Sequence, residues 1–214
     1  WLSEAAELAR MNWWTIEYGL VGDLNNPKIY GAGLLSSVSE SNDCLKSKVK
    51  KIPISIDCIK TGYNITEPQP QLFVTKNFKE LKKILNEYKK TMAYVNGGED
   101  GLNKAILSKN ITTSVYNSGL QVSGILDKFI RDNNDKITYL QFIGNVQLSN
   151  NHIEIEGHGK GKHPQGYGGA LGVLSDIGLP LHQLDSIQLK QIGLIKNKNT
   201  KLKFEGGLTV EGRV

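Results

Sequence analysis

The feature that most constrains this 214-residue chain is a change of hydrophobic period at Asn96-Gly97-Gly98. Before it, apolar residues recur at helical spacing. After it, that period fades, and apolar residues fall in short runs bounded by turn residues. Such a change predicts two domains, residues 1–93 and 94–214, with the boundary near residue 94. The expected fold class is α+β, a mainly helical first part followed by a β-rich domain.

In the first part, Leu2, Ala5, Ala6, Ala9, Trp13, Ile16 and Leu20 share a helical face, which predicts one helix over residues 2–20. Trp1 to Ala6 reads as the middle of a helix with no N-cap before it. The chain also lacks a starting Met, so an upstream segment is expected to be missing. Asn25-Asn26-Pro27 is a turn signal. Residues 28–30 and 71–74 read as strands, and 34–45 and 53–60 as short helices. Asn77 with Glu80 three residues on predicts a helix start. That helix runs over 78–92, with Leu81, Ile84, Leu85 and Tyr88 as its apolar stripe.

In the second part, residues 111–126, 137–143, 146–148, 153–156 and 201–214 read as strands. Residues 132–135 and 149–151 read as hairpin turns. A G-L-x-V-x-G pattern occurs at 119–124 and again at 207–212, behind an aromatic at Tyr116 and Phe204. Two copies predict two similar strand-turn units and not a solenoid.

Charge is modest: 26 basic and 21 acidic residues leave a net +5. The lysines at 46, 48, 50 and 51, and those at 79, 82, 83, 89 and 90, read as solvated faces, so no nucleic-acid partner is expected. No apolar run approaches bilayer length, and no signal peptide is legible, so no membrane partner is expected. Cys44 and Cys58 read as reduced thiols of a cytoplasmic protein. Gly31-Ala32-Gly33 lacks the third glycine of a dinucleotide fingerprint, and the glycine-rich 157–169 lacks a P-loop ending. His158 and His163 make an H-x4-H pattern, but in a Gly- and Lys-rich segment that reads as a flexible loop rather than a metal site.

Glu17 is the only charged residue between Arg10 and Asp23. If buried there it needs a cation, a metal or strong donors. Helical periodicity instead places it on the flank of the apolar arc near Arg10, where an ion pair or water would satisfy it.

Trp13-Trp14-Thr15-Ile16-Glu17-Tyr18-Gly19-Leu20 resembles the helix of the aromatic amino acid hydroxylases that carries the iron-binding glutamate. Lys28-Ile29-Tyr30-Gly31-Ala32-Gly33-Leu34-Leu35-Ser36-Ser37 resembles that family's active-site segment, and Tyr63-Asn64-Ile65-Thr66-Glu67-Pro68-Gln69-Pro70 the segment that follows. Three motifs in order span roughly residues 1–92. Within the family the chain is most similar to its phenylalanine-hydroxylating members, and its β-rich second part suits an extended bacterial form.

The resemblance implies a non-haem Fe(II) held by two histidines and one carboxylate, with tetrahydrobiopterin or a related tetrahydropterin as cosubstrate. Glu17 matches the carboxylate. Trp13, Tyr18, Gly33, Ser36, Ser37 and Glu40 match substrate-side positions, and Ser36 the one that orients an iron-bound histidine. Ala9 and Tyr63 match positions beside the pterin. The partners implied are an aromatic amino acid and O2. The two histidines belong upstream of Glu17 and are absent, so these 214 residues are expected to be inactive without the missing N-terminal half of the catalytic domain. Asn12 stands where the family commonly has an aromatic. The alternative is a non-catalytic module, in which the β-rich domain binds a partner or forms a homo-oligomer.

Overall fold

Helix α1, Glu4–Asn12, starts at Ser3, whose hydroxyl accepts the Ala6 N–H at 3.2 Å. The expectation that no N-cap precedes this helix is therefore corrected: Ser3 is the cap, and residues 1–3 lie outside the helix. The helix also does not run regularly to residue 20. Over Trp13–Glu17 the backbone widens into a π-helical turn, and Tyr18 N–H reaches back five residues to the Trp13 carbonyl at 2.8 Å. Strand β1, Leu20–Asp23, follows directly and turns at Leu24-Asn25 into β2, Asn26–Ile29.

The predicted helix over 34–45 is two short helices, α2 at Ala32–Ser36 and α3 at Val38–Asp43. Ser37 is extended and caps α3 through Glu40 N–H, so the break is a local capping choice. The predicted helix over 53–60 divides into strand β3, Lys50–Pro53, and a 3-10 turn, Ile56–Lys60. Strand β4 is Gln71–Thr75. Helix α4, Phe78–Lys89, starts at Asn77 as expected, with the Asn77 side chain accepting Glu80 N–H at 3.1 Å. A short helix α5, Ala93–Asn96, follows it.

The computed structural model describes residues 1–214 and divides them into two units, Trp1–Gly97 and Gly98–Val214. Helix and sheet occur in both, in keeping with the α+β class. In the first unit the strands form one mixed sheet in the order β2-β1-β4-β3. Its centre is β4, buried on both faces at Leu72, Phe73 and Val74, as expected of a strand with parallel neighbours. Trp14 is fully buried and packs on Phe73 with ring centroids 5.3 Å apart. Tyr88 of α4 is also buried and donates to Glu7 of α1 at 2.9 Å, which ties the two helices together.

The second unit opens with a helix the pattern did not disclose, α6 at Gly98–Ser108. It places Leu102, Ala105 and Ile106 on a core made by β6 (Leu120–Arg131) and β7 (Ile137–Asn150), with β5 (Ile111–Val115) on the other edge of β6. These strands pair antiparallel in the order β5-β6-β7-β8, with β8 at Ile153–Glu154, and β9 (Tyr167–Ala170) also lies on β7. The two runs expected at 137–143 and 146–148 are one strand carrying a bulge. Gly144 has φ +68, and Gly144, Asn145 and Val146 together oppose Gly124 alone. Helix α7, Ser186–Gln191, and the hairpin of β10 (Asn199–Lys203) with β11 (Thr209–Arg213) surround a smaller core of Leu174, Leu184 and Phe204.

The internal repeat is a repeated turn. Gly119 N–H bonds the Tyr116 carbonyl at 2.9 Å, and Gly207 N–H bonds the Phe204 carbonyl at 3.0 Å. Both glycines have positive φ, +84 and +81. Each motif thus encodes a hairpin turn whose αL position calls for glycine.

Cys44 and Cys58 are free and buried. Burial pushes the Cys58 thiol up to about 11, with Asp57 adding to it. The unfolded chain therefore loses this proton at lower pH than the folded chain, and stability falls as pH rises through that window. Cys58 should account for about 2 kcal/mol of the stability lost between pH 9 and pH 11. Urea denaturation at each pH checks this, and Cys58→Ala should flatten that part of the profile.

Candidate active site

The π-helical turn sets the geometry. In a regular α-helix, residues five apart lie about 140° apart around the axis. The wide turn instead brings Tyr18 over Trp13, and their rings stack at 4.7 Å with planes 13° apart. Tyr63 covers the indole from the other side at 4.2 Å and 8°. Trp13 is thus the middle layer of a three-ring stack. Its indole N–H is buried and has no acceptor, a donor that ordinarily finds a partner when enclosed.

Two side chains, through three long-range bonds, bring Tyr63 here. Arg10 donates to the carbonyls of Ile59 and Lys60 at 3.2 and 3.3 Å, and the Trp14 indole N–H donates to the Thr61 carbonyl at 2.8 Å. The loop beyond is held from inside by Gln69, a buried side chain that accepts Asn64 N–H at 3.2 Å and donates to the Asn64 and Glu67 carbonyls. In the sequence Gln69 stands out only as part of the hydroxylase-like segment at 63–70. No periodic signal marks a polar side chain that folds a loop around itself.

Glu17 is half-buried, and Arg10 is committed to the backbone of residues 59 and 60. The Arg10–Glu17 ion pair that periodicity allowed is not formed. The Glu17 backbone is instead packed by glycines. A Cβ on Gly31 would stand 2.4 Å from the Glu17 carbonyl oxygen, and one on Gly33 would stand 3.1 Å from it and 3.4 Å from Glu17 Oε2. Gly19 is as confined: its Cβ would sit 2.2 Å from the Thr15 carbonyl oxygen, and its own carbonyl accepts Gly31 N–H at 3.0 Å. The Gly-Ala-Gly segment therefore serves close approach, so that α2 begins directly against the turn that carries Glu17.

The remaining candidates divide into two sets. Tyr18 donates its hydroxyl to Glu40 of α3 at 3.2 and 3.3 Å to the two carboxylate oxygens, and both side chains line a cleft with Leu34, Cys44, Gln69 and Leu72. Burial, followed by the Glu40 charge, raises the Tyr18 phenol, so it stays protonated and able to donate. Ser36 and Ser37 make local bonds: Ser36 donates to the Gly33 carbonyl at 2.8 Å, and Ser37 caps α3 and pairs with Ser39. Ala9 and Asn12 are exposed on α1.

His158 and His163 belong to the second unit. Their segment is bound to β7 rather than loose, with Leu148 N–H on the His158 carbonyl and Val146 N–H on the His163 carbonyl, both at 3.0 Å. The two ring nitrogens meet at 3.0 Å. That is an imidazole–imidazole hydrogen bond, and no group of three or more His, Cys, Asp or Glu side chains gathers anywhere in the chain to hold a metal ion.

The glycine cradle predicts that Gly31→Ala destabilises the chain by about 1–3 kcal/mol through overpacking. Urea denaturation followed by tryptophan fluorescence measures this directly. An unchanged midpoint would show that the Glu17 backbone can move aside.

Comparison with known proteins finds matches over the first part of the chain. Residues 3–96 match the profile of the biopterin-dependent aromatic amino acid hydroxylases. The phenylalanine-4-hydroxylase of Rattus norvegicus is 37% identical over 89 residues, covering 40% of this chain and 19% of the relative. That of Chromobacterium violaceum is 42% identical over 77 residues, covering 35% and 26%. A crystal structure of the Chromobacterium violaceum enzyme bound to cobalt is 39% identical, covers 36% of this chain and 29% of that one, and superimposes with a TM-score of 0.35. The chain spans about a fifth to a quarter of the length of these curated relatives. The similarity to the biopterin-dependent aromatic amino acid hydroxylases is thus confined to residues 3–96, and residues 97–214 lie beyond the match.

Proposed function

We propose that this chain is part of a non-haem iron, tetrahydropterin-dependent monooxygenase that hydroxylates the ring of an aromatic amino acid, phenylalanine to tyrosine. The observation that carries the reading is the convergence of Trp13, Glu17, Tyr18, Gly33 and Glu40 on one side of the wide turn, within the matched residues. Residues 1–93 are the C-terminal part of the catalytic domain, and 94–214 an accessory domain.

The residues present do not complete an iron site. Glu17 is a single carboxylate, and all four histidines, at 152, 158, 163 and 182, lie in the second unit. No cluster of three candidate ligands exists. Two further ligands are proposed to come from parent-chain residues outside these 214, because one carboxylate does not make a metal site. What the residues present supply is binding. The Tyr18–Trp13–Tyr63 stack offers an aromatic wall, the Trp13 indole N–H a free donor, and the Tyr18–Glu40 pair a polar edge to the cleft. Tyr63 and Ala9 are proposed to face the pterin, and Ser36 and Ser37 the amino acid side. Two buried, unpaired thiols suit a reducing cytoplasmic compartment, and no helix is long and apolar enough to cross a membrane.

The 214 residues alone should give no tyrosine from phenylalanine with added Fe(II) and tetrahydropterin, read by product chromatography. In the parent chain, Glu17→Gln should abolish turnover and weaken iron binding. Turnover by these residues alone, or a parent chain lacking two upstream histidines, would overturn the reading.

One observation favours a second role for the accessory domain. Strand β5 is a sheet edge, with Ile111 and Val115 73% and 67% exposed. An open apolar edge is a ready template for pairing with another copy. Sedimentation should show self-association of the chain that Val115→Lys abolishes, and a wild-type monomer would remove this reading.

A further inference from the structure

The side chain that best accounts for the wide turn is one that contacts none of the candidate site groups. Thr15 Oγ1 donates to the Met11 carbonyl at 2.7 Å and lies 3.4 Å from the Asn12 carbonyl. A hydroxyl that reaches back four residues competes with the backbone ladder and bends helices. Here the ladder changes register at this place: α1 ends at Asn12, and the next turn closes from Tyr18 N–H to the Trp13 carbonyl. Inserted residues of this kind recur at functional sites.

Local propensity does not explain the turn. Trp13, Trp14 and Ile16 are all compatible with an ordinary α-helix, where they would cost a few tenths of a kcal/mol each relative to alanine. Nor does the end of the helix, because Gly19 lies beyond Trp13–Glu17, where the ladder has already changed register. The hydroxyl of Thr15 is the polar side chain inside Trp13–Glu17 that bonds the preceding turn.

We propose that Thr15 is a positioning residue: its hydroxyl holds the wide turn open, and through it sets the Trp13–Tyr18 stack and the placement of Glu17. The proposal rests on the reading of these three as site residues only for its functional consequence. The placement itself belongs to this chain without metal or pterin.

The test uses the full 214-residue chain with nothing bound. Ring-to-ring nuclear Overhauser contacts between Trp13 and Tyr18, together with the near-ultraviolet circular dichroism of the stacked aromatics, report the turn. Thr15→Val removes the hydroxyl at nearly constant shape, and Thr15→Ala removes it with a residue that favours a regular helix. Thr15→Ser keeps the hydroxyl. We expect the ring contacts and the near-ultraviolet band to be lost in both the Val and Ala variants and restored in the Ser variant, with the far-ultraviolet spectrum retained. A merely structural role would lower the urea midpoint but leave the ring contacts in place in the folded fraction. Persistence of the Trp13–Tyr18 contacts in either Val or Ala, or their loss in Ser, would overturn the proposal. These readings do not depend on hydroxylase activity, so a failed turnover assay in the parent chain and a failed positioning role are separate results.

Discussion

The hydrogen bond from Tyr18 N–H to the Trp13 carbonyl, five residues back, is the constraint that the first unit's site depends on. It converts a helix that would send Trp13 and Tyr18 to different faces into one that stacks them. The same turn leaves Trp14 free to point into the core, where it is fully buried and bonded through its indole N–H to Thr61. One irregularity thereby separates two neighbouring tryptophans by role: Trp14 anchors the core, and Trp13 is presented in a ring stack with its donor unspent. The glycines at 19, 31 and 33 follow from this arrangement, since a Cβ would meet the Thr15 carbonyl and Tyr30 ring at Gly19, the Glu17 carbonyl at Gly31, and the Tyr18 ring at Gly33.

The second unit depends on turns in the same way. Its repeated motif places a left-handed glycine at the end of a hairpin turn twice, once for β5–β6 and once for β10–β11. At Gly144, β7 takes up two additional residues without losing its inward set, because an even number preserves the period-two alternation. Thr138, Leu140, Phe142, Val146 and Leu148 accordingly all remain buried. The histidine pair that mimics a metal-binding spacing is held by two backbone bonds to β7 and satisfied by its own nitrogen–nitrogen contact.

Features that rest on one or two neighbouring side chains were legible in the sequence. Asn77 and Glu80 mark a helix start because both caps are local, and β4 is marked by a run of apolar residues suited to burial on two faces. Features decided by one backbone bond against another were not. Ser37 divides an apparent helix because its hydroxyl caps the following turn, and Ser3 starts a helix that composition alone extends upstream. Helix α6 was missed because Gly98 and Gly101 dilute a short apolar stripe that gains its partners only from β6 and β7. In the candidate site, Trp13, Glu17 and Tyr18 were legible as neighbours through the word that contains them, whereas Gln69 and Thr15 act through bonds that carry no periodic mark.

By itself, the sequence determined the change from helical to alternating pattern, the order of the hydroxylase-like motifs over roughly residues 1–92, the hairpin-forming repeat, and the absence of any histidine before residue 152. Those are properties of residue type and order. Tertiary structure alone decided that Arg10 serves the backbone of residues 59 and 60 rather than Glu17, that Tyr63 arrives from 50 positions away, 63 minus 13, to complete the stack on Trp13, and that the helix widens where it does. Helical periodicity assumes a constant 100° per residue. Once a long-range bond and a wide turn break that assumption, which face Glu17 occupies is set by packing rather than by position along the helix.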